Sequence, residues 1–369
     1  MEYFDMKAVS LFSGAGGMDV GFRQAGFTIV AANETDTYAC QTFRANHGGT
    51  TLYEGDVAKH MDALGSLADI DLVFGGPPCQ GFSVAGKMDA ADPRSQLIFS
   101  FAEVVERLHP RAFVMENVKA LGSLEKFALL RRQLMARFVK AGYAVQIVTL
   151  NAKDFGIPQS RERVFFIGLH QTVNAVTLAS FRKYHATPPT LREIIAPLGK
   201  AGTLSNCKIC RAKITLAVKP VLRQSPYAGM LFNGQGRPLN PDGWASTLPA
   251  SMGGNRTPII DEAHLFDGAK PWVEEYHRHL MKSGKPYPAD AAPASLRRLT
   301  VDEAALLQGF PADYRFHGTQ SKVFSQIGNA VPCKLAHVVA DVVFRALERP
   351  DAPQNDEYLV GQNRELRFA

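Results

Sequence analysis

Two residues with clear chemical potential, Cys79 and Glu116, each follow an apolar segment of the sequence. Cys79 stands in GGPPCQGFS, residues 75–83, directly after the apolar run DLVF. A thiolate is a strong nucleophile, and a loop at the end of a buried strand exposes it. Glu116 lies near the end of the segment RAFVMENV, residues 111–118. If the two strands are neighbours, the pair can attack a ring at one atom and protonate it at another.

Cysteine is also a common buried structural residue, so the local sequence has to separate the two interpretations of Cys79. Pro77 and Pro78 precede it, which stiffens the loop and removes two N–H donors. A fixed presentation of one side chain requires such a loop. A zinc deaminase motif is excluded locally, because its Pro-Cys-x-x-Cys pattern needs a cysteine where Phe82 stands.

A second group of residues indicates an adenosine-containing cofactor. FSGAGG, residues 12–17, ends one apolar segment, and glycines there let a ligand approach a helix N-terminus. Glu34 ends the next segment, where a carboxylate can hold two ribose hydroxyls, and Asp56 could accept from an adenine amino group. The dinucleotide pattern fails at Asp19, and no phosphate-binding lysine follows, which favours a nucleoside cofactor. The alternatives are a tight turn and two capping or solvated carboxylates.

The elements that must position these groups alternate between strands and helices. Strands are predicted at 8–12, 26–34, 51–56, 71–76, 111–118, 143–151 and 163–169, and helices at 35–46, 95–108 and 123–141. This alternation predicts an α/β fold with a doubly wound, mostly parallel sheet covered on both faces. Ligands bind such sheets at the carboxyl ends of the strands, where the chemical groups lie.

The composition of the sequence changes after about residue 172, where proline, glycine and asparagine are frequent and helical periodicity is weak. We predict a catalytic and cofactor-binding domain over 1–190, completed by 318–349, and a loop-rich target-recognition domain over 191–295. Residues 296–317 form a hinge and helix segment in which Thr300 is a predicted N-cap. A last helix is predicted at 334–347, followed by a polar tail over 350–369.

Composition sets the remaining bounds. The chain has 369 residues, 46% hydrophobic and 21% charged, with a net charge of +6. No apolar run is long enough to span a bilayer, and the N-terminus lacks the pattern of a signal peptide. Five scattered cysteines predict reduced thiols in a cytoplasm. The positive charge permits a polyanionic partner without requiring one.

Eight motifs in order make the sequence resemble the DNA (cytosine-5) methyltransferase family, of the bacterial restriction-modification or orphan type. They are FSGAGG, Glu34, GD at 55–56, PPCQGFS, ENV, QSRERVFFIG at 159–168, RRLTVDEAALLQGFP at 297–311 and QIGNAVP at 326–332. One such motif is weak, but the ordered set is specific and covers most of the chain outside 175–295.

The resemblance implies methyl transfer from S-adenosylmethionine to C5 of a flipped-out cytosine. Cys79 would attack C6, protonated Glu116 would stabilise N3, and Arg163, with Arg161 nearby, would orient the base and the acid. Asn117 and Pro78 complete the implied catalytic set. The implied cofactor residues are Phe12, Ser13, Gly14, Gly16, Gly17, Glu34, Asp56, Val57, Pro77, Leu97, Asn329 and Ala330. Thr35 departs from members with an aromatic residue at this position.

The implied partner is double-stranded DNA. Gln80, Ser83 and Lys87 are its predicted contacts in a loop over 81–95 that closes on DNA, with a solvated loop as the alternative. Arg237, Asn255 and Arg256 are of types that read base edges, although each suits a phosphate contact as well. No metal is predicted, because Cys207 and Cys210 form only half of a zinc site.

Two other functions stay open from the sequence alone. An RNA cytosine-5 methyltransferase shares the fold, but the Cys-Phe-Thr motif of the tRNA-acting relatives is missing from the second domain. A binding protein without turnover is the other, and the presence of Cys79, Glu116 and Arg163 argues against it. We further predict a monomer, no membrane association and a restriction endonuclease that acts separately.

Overall fold

The computed structural model describes residues 5–78, 96–170 and 176–348. Seven strands form one sheet in the order β3-β2-β1-β4-β5-β8-β6. Their bounds are β1 Lys7–Leu11, β2 Thr28–Glu34, β3 Thr51–Glu54, β4 Leu72–Gly75, β5 Ala112–Val118, β6 Tyr143–Asn151 and β8 Glu162–His170. Strands β1 to β5 pair in parallel, whereas β8 runs antiparallel to both β5 and β6. The mostly parallel sheet is therefore confirmed.

Side chains alternate between the two faces of the sheet, and each face has its own core. Leu72 and Phe74 of β4 belong to one hydrophobic cluster, whereas Val73 between them belongs to the other. Helices α1 (Gly17–Gln24) and α12 (Cys333–Glu348) cover the first face. Helices α3 (Met61–Gly65), α4 (Gln96–Leu108) and α6 (Ala128–Lys140) cover the second. The fold is doubly wound, as predicted.

The loop-rich part of the chain is held by short elements and two further clusters. Its strands are β9 Leu216–Val221, β10 Met230–Phe232, β11 Ala245–Ser246, β12 Ile259–Asp261 and β13 Leu296–Arg298, and β11 pairs with β7, Gln159–Ser160. One cluster packs α9 against β10 and β12, and the other joins this region to α10 and α11. The remaining α-helices are α2 Thr37–Asn46, α5 Lys119–Ser123, α7 Leu191–Ile195, α8 Glu262–Phe266, α9 Trp272–Ser283, α10 Val301–Leu307 and α11 Gln320–Asn329.

Short 3-10 helices lie at Val57–His60, Glu125–Phe127, Ala152–Asp154, Leu178–Tyr184, Ala196–Leu198 and Leu204–Asn206. The helix predicted at 123–141 is therefore divided into the end of α5, a 3-10 turn and α6. The weak helical periodicity up to residue 295 predicted no helix at α9, and this was wrong. The apolar face of α9 packs on the short strands. Thr300 does cap α10, with its Oγ1 accepting from the N–H of Glu303 at 3.0 Å. The domain boundaries stay predictions.

Candidate active site

The carboxyl ends of β1, β2, β4 and β5 surround a cavity of about 390 Å³. Strand β1 lies between β2 and β4, which is where the strand order reverses and where doubly wound sheets bind ligands. The cavity brings together these predicted site residues: Phe12, Ser13, Gly14, Gly17, Glu34, Pro77, Pro78, Glu116, Asn117, Arg161, Arg163, Asn329 and Ala330. Groups taken from strands and from the far C-terminal helices thus share one space.

The glycines that follow β4 permit very close packing. A Cβ at Gly75 would lie 2.0 Å from the carbonyl oxygen of Leu11, and one at Gly76 would lie 2.8 Å from Oε2 of Glu116. The contact at Gly75 is with main chain, so only glycine lets β4 run this close to β1, whereas a side chain at Gly76 would displace the Glu116 carboxylate. The segment leading to Cys79 consequently begins directly beside the Glu116 carboxylate.

Asn117 anchors this segment from the neighbouring strand. Its buried side-chain Nδ2 donates to the carbonyl oxygen of Pro77 at 3.1 Å, and its Oδ1 accepts from the N–H of Val118 at 2.9 Å. Because Pro77 and Pro78 have no N–H groups, a carbonyl is the main-chain group of Pro77 available for such a bond. Asn117 thereby fixes the start of the Cys79 loop against β5.

Glu116 and Arg163 form a buried ion pair at the end of β5. Nε of Arg163 lies 2.8 Å from Oε1 of Glu116, and the two side chains are only 15% and 13% exposed. Val118 is the register partner of Arg163, so Arg163 is a diagonal neighbour of Glu116 across the antiparallel pair. Burial raises the pKa of Glu116, and the positive charges of Arg163 and Arg161 oppose that rise. A carboxyl held this way is suited to carry a proton.

Arg161 has a different environment from Arg163. Its guanidinium is 1% exposed and donates to the carbonyl oxygens of Leu248 at 3.1 Å and Gly328 at 2.9 Å. It therefore links the sheet to the loop-rich part and to α11, while its charge reaches Glu116 through space. These contacts show Arg161 as a structural link beside the acid.

Glu34 closes the glycine-rich loop onto the end of β2. Its Oε2 accepts from the N–H of Gly14 at 2.7 Å, while Oε1 accepts from the N–H groups of Thr35 and Asp36, both at 2.8 Å. The Thr35 hydroxyl also donates to Oε1, at 3.4 Å, whereas Oε2 accepts one hydrogen bond and keeps a lone pair for a ligand hydroxyl. The loop and the carboxylate thus hold one another in place at the cavity wall.

Four predicted cofactor residues do not line the cavity in this structure: Gly16, Asp56, Val57 and Leu97. Gly16 is the N-cap of α1, in a left-handed conformation with φ of 84°. Asp56 is exposed and caps the 3-10 helix that follows it, with Oδ1 accepting from the N–H of Ala58 at 3.0 Å. This is the capping alternative weighed for Asp56 from the sequence. Leu97 packs on the same hydrophobic cluster as Phe12 and Val57.

Sequence reasoning missed several polar residues at the cavity, among them Lys322, Asp36 and Ser10. Lys322 and Asp36 both line it, and Nζ of Lys322 lies 3.4 Å from Oδ2 of Asp36. Ser10 also lines it, with a buried hydroxyl close to the Asp19 carboxyl. Nearby Asp19 is fully buried, and burial raises its pKa to about 7. Asp19 stands where the dinucleotide pattern needs a glycine, and this departure is the sequence signal that could have drawn attention to Asp19.

A second cleft, of about 510 Å³, shares Thr247 and Pro249 with the first. Arg237 and Arg256 both line it and are exposed, whereas exposed Asn255 does not line it. Buried Arg298 donates to the carbonyl oxygen of Thr257 at 2.9 Å and to Oδ1 of Asn233 at 3.0 Å, which joins the loop of Arg256 to the segment that leads to Arg237. The arginine side chains thus stand on a fixed base beside the first cavity.

Several predictions fall elsewhere. Cys79, Gln80, Ser83, Lys87 and the polar tail over 350–369 lie outside the described residues. Within the described ranges, no helix is long and apolar enough to cross a membrane. In those ranges no three His, Cys, Asp or Glu residues cluster as metal ligands. The structure therefore describes Pro77 and Pro78, the segment that leads to Cys79, and not Cys79 itself.

The chain is similar to known proteins both in sequence and in fold. A family model described as C-5 cytosine-specific DNA methylase matches residues 6–345. The Type II methyltransferase M.NgoPII of Neisseria gonorrhoeae is 34% identical over 362 residues, covering 94% of this chain and 98% of that protein. M.MthTI of Methanothermobacter thermautotrophicus is 32% identical over 348 residues, covering 93% and 98%. The structure of S. pombe Dnmt2 methyltransferase shares the fold, with a TM-score of 0.63, 17% identity and coverage of 94% and 100%.

Proposed function

Because the chain belongs to the C-5 cytosine-specific DNA methylase family and is a DNA cytosine-5 methyltransferase, we propose that it acts through a covalent bond between Cys79 and C6 of a flipped-out cytosine. The observation that carries this proposal is the shared cavity of Glu116 and the Pro77–Pro78 segment. A nucleophile delivered from that segment and an acid on the next strand would flank one base.

In the proposed mechanism the thiolate of Cys79 attacks C6, which places negative charge on N3 and C5. Glu116, whose pKa is raised by burial, donates to N3 in its protonated form, and Arg163 fixes the carboxyl through its 2.8 Å contact. Bound S-adenosylmethionine supplies the methyl group that C5 takes up. A base then removes the C5 proton, the electrons restore the ring, Cys79 leaves as the thiolate, and N3 returns its proton to Glu116. The DNA base must leave the stack because its C5–C6 face is otherwise covered.

The methyltransferase family uses S-adenosylmethionine, and the donor set of the cavity fits this group. Glu34 offers a carboxylate lone pair to a ribose hydroxyl, Ser10 offers a buried hydroxyl, and Lys322 and Asp36 provide both signs of charge. We propose Phe12, Ser13, Gly14, Gly17, Glu34, Pro77, Asn329 and Ala330 as cofactor residues at the cavity wall. Gly16, Asp56, Val57 and Leu97 support that wall or require a shift to reach the cofactor.

For DNA, we propose that Arg237 and Arg256 read base edges from the cleft beside the cavity, with Asn255 on the same loop. Gln80, Ser83 and Lys87 are proposed contacts of the loop over 81–95. The shared walls at Thr247 and Pro249 would keep the recognised sequence next to the flipped cytosine. A monomeric enzyme in a bacterial cytoplasm, with a separate restriction endonuclease, completes the proposal.

A duplex that carries 5-fluorocytosine at the target tests the covalent step, because fluorine cannot leave as a proton. We expect wild type to form an adduct that survives denaturation, and Cys79→Ala to form none while still binding DNA. Cys207→Ala is the matched control, since Cys207 is an exposed free cysteine. Methylation by the Cys79→Ala variant would reject the mechanism. A tRNA substrate, run in parallel with duplex DNA and labelled cofactor, is expected to remain unmethylated.

A further inference from the structure

An ion pair lies at the wall of the 390 Å³ cavity and joins two distant parts of the chain. Nζ of Lys322, on α11, lies 3.4 Å from Oδ2 of Asp36, which directly precedes α2. The side chains are 49% and 43% exposed, so water reaches both. A contact of this length between half-exposed groups is weak and exchangeable.

The cationic side chains that line this cavity differ in the partners that they already bind. Arg161 donates to backbone carbonyls, and Arg163 pairs with Glu116. Lys322 has the exchangeable contact with Asp36 and a distant one with the Tyr38 ring, 5.7 Å from its ammonium to the ring centroid. Within the described part of the lining, Lys322 is therefore the cation that a ligand anion can engage at least cost.

Asp36 is suited to a cation in the same way. Its Oδ1 accepts from the N–H groups of Tyr38 and Ala39, both at 3.0 Å, which fixes the carboxylate as the cap of α2. Its Oδ2 faces Lys322 and is not needed for the cap. The position of the carboxylate is thus set by the helix, while one oxygen remains for exchange.

S-adenosylmethionine carries one carboxylate and one ammonium on the α-carbon of its amino-acid part. We infer that Lys322 and Asp36 recognise this zwitterion, with Lys322 binding the carboxylate and Asp36 the ammonium. The inference rests on the proposed cofactor site. One weak ion pair inside the protein is exchanged for two charge-assisted pairs with the ligand. The wall contributed by α11 would then select the intact cofactor over forms that lack the carboxylate.

Calorimetry with S-adenosylmethionine and with its decarboxylated form tests this assignment, because the two ligands share the sulfonium, the adenosine and the amine. For Lys322→Gln we expect affinity for S-adenosylmethionine to fall about tenfold, as for a lost charge-assisted hydrogen bond, with affinity for the decarboxylated form unchanged. Lys322→Arg keeps the charge and is expected to retain most of the discrimination. Lys200→Gln is the matched control, since Lys200 is 51% exposed, pairs with Asp267 and lies outside this cavity.

Equal losses for both ligands, or no loss for either, would overturn the assignment. A fall in DNA affinity with a smaller salt slope, and with cofactor affinity intact, would instead make Lys322 a phosphate contact and also overturn it. Failure of wild type to bind either ligand would reject the proposed cofactor site itself. Thermal unfolding of Lys322→Gln and Lys322→Arg checks that both variants are folded.

Discussion

The guanidinium of Arg163 and the carboxylate of Glu116 meet across β8 and β5, with Nε and Oε1 2.8 Å apart. The arginine charge lowers the pKa of Glu116, while burial raises it, and burial prevails. Glu116 therefore holds its proton to higher pH than an exposed glutamate does, and the charge of Arg163 limits how far its pKa rises.

Arg163→Gln is expected to raise the pKa of Glu116 further, because the opposing positive charge is removed. Since the acid must be protonated to donate at N3, the rate falls as pH rises through this pKa. The alkaline limb of the single-turnover rate should therefore move to higher pH, while the maximal rate drops. Arg163→Lys keeps the charge and should leave the limb near its wild-type position. A limb that does not move in Arg163→Gln would contradict the assignment of Glu116 as the acid.

Asn117→Asp should loosen the segment before Cys79, because a carboxylate oxygen replaces the donor that faces the Pro77 carbonyl. We expect the free energy of unfolding to fall by about 1–3 kcal/mol, the cost of an unpaired buried group. The rate of covalent trapping should fall more than DNA affinity does. Chemical unfolding and a trapping time course measure the two effects, and unchanged trapping would show that the bond does not position the loop.

Glu34→Ala is expected to weaken S-adenosylmethionine binding by about 1–3 kcal/mol, because charge-assisted hydrogen bonds to the ribose are lost. The glycine-rich loop also loses the acceptor for the N–H of Gly14, so some thermal stability should be lost as well. Calorimetry is the measurement. Glu54→Ala, which removes a carboxylate from the neighbouring strand outside the cavity, is the control. Equal affinities in wild type and Glu34→Ala would remove Glu34 from the site.

Arg256→Ala separates base reading from phosphate contact. If Arg256 reads a guanine, the variant should lose about 1–3 kcal/mol on the cognate site and accept other bases at one position. If it contacts phosphate, affinity should fall uniformly and the salt slope should drop by about one unit. Sequencing of methylated sites from a random library distinguishes the two, with Arg237→Ala run beside it. An unchanged sequence preference would rule out base reading by Arg256.

Asp19→Asn should change how stability depends on pH. The folded-state pKa is about 7 against an ordinary value of 3.8, so the folded protein holds this proton where the unfolded chain releases it. The free energy of unfolding should therefore fall as pH rises from about 4 to about 7, by up to about 1.4 kcal/mol per unit. The variant should lose this part of the slope, and exposed Asp290→Asn should keep it. Urea unfolding across the range measures it, and identical slopes would mean that Asp19 stays charged.

The sheet and the meeting of its chemical groups were predictable because both depend on local patterns. Alternating apolar segments set the strands, and motifs at their ends placed Glu34 and Glu116 at one edge. The Lys322–Asp36 pair was not predictable, since its members are 286 positions apart and neither residue type is unusual. Helix α9 was missed because its amphipathic face packs on very short strands between segments rich in proline and glycine.

The wall that α11 gives to the cavity is synthesised last among the parts of the cavity, because α11 lies near the end of the chain. Lys322, Ser325, Asn329 and Ala330 line the cavity, although they follow the loop-rich part of the chain. A chain emerging from the ribosome has the strands that carry Glu34 and Glu116 long before this wall arrives. A half-made chain therefore lacks one wall of the cavity. A premature stop between α10 and α11 removes this wall together with α12, and with it most of the apolar cover of one face of the sheet.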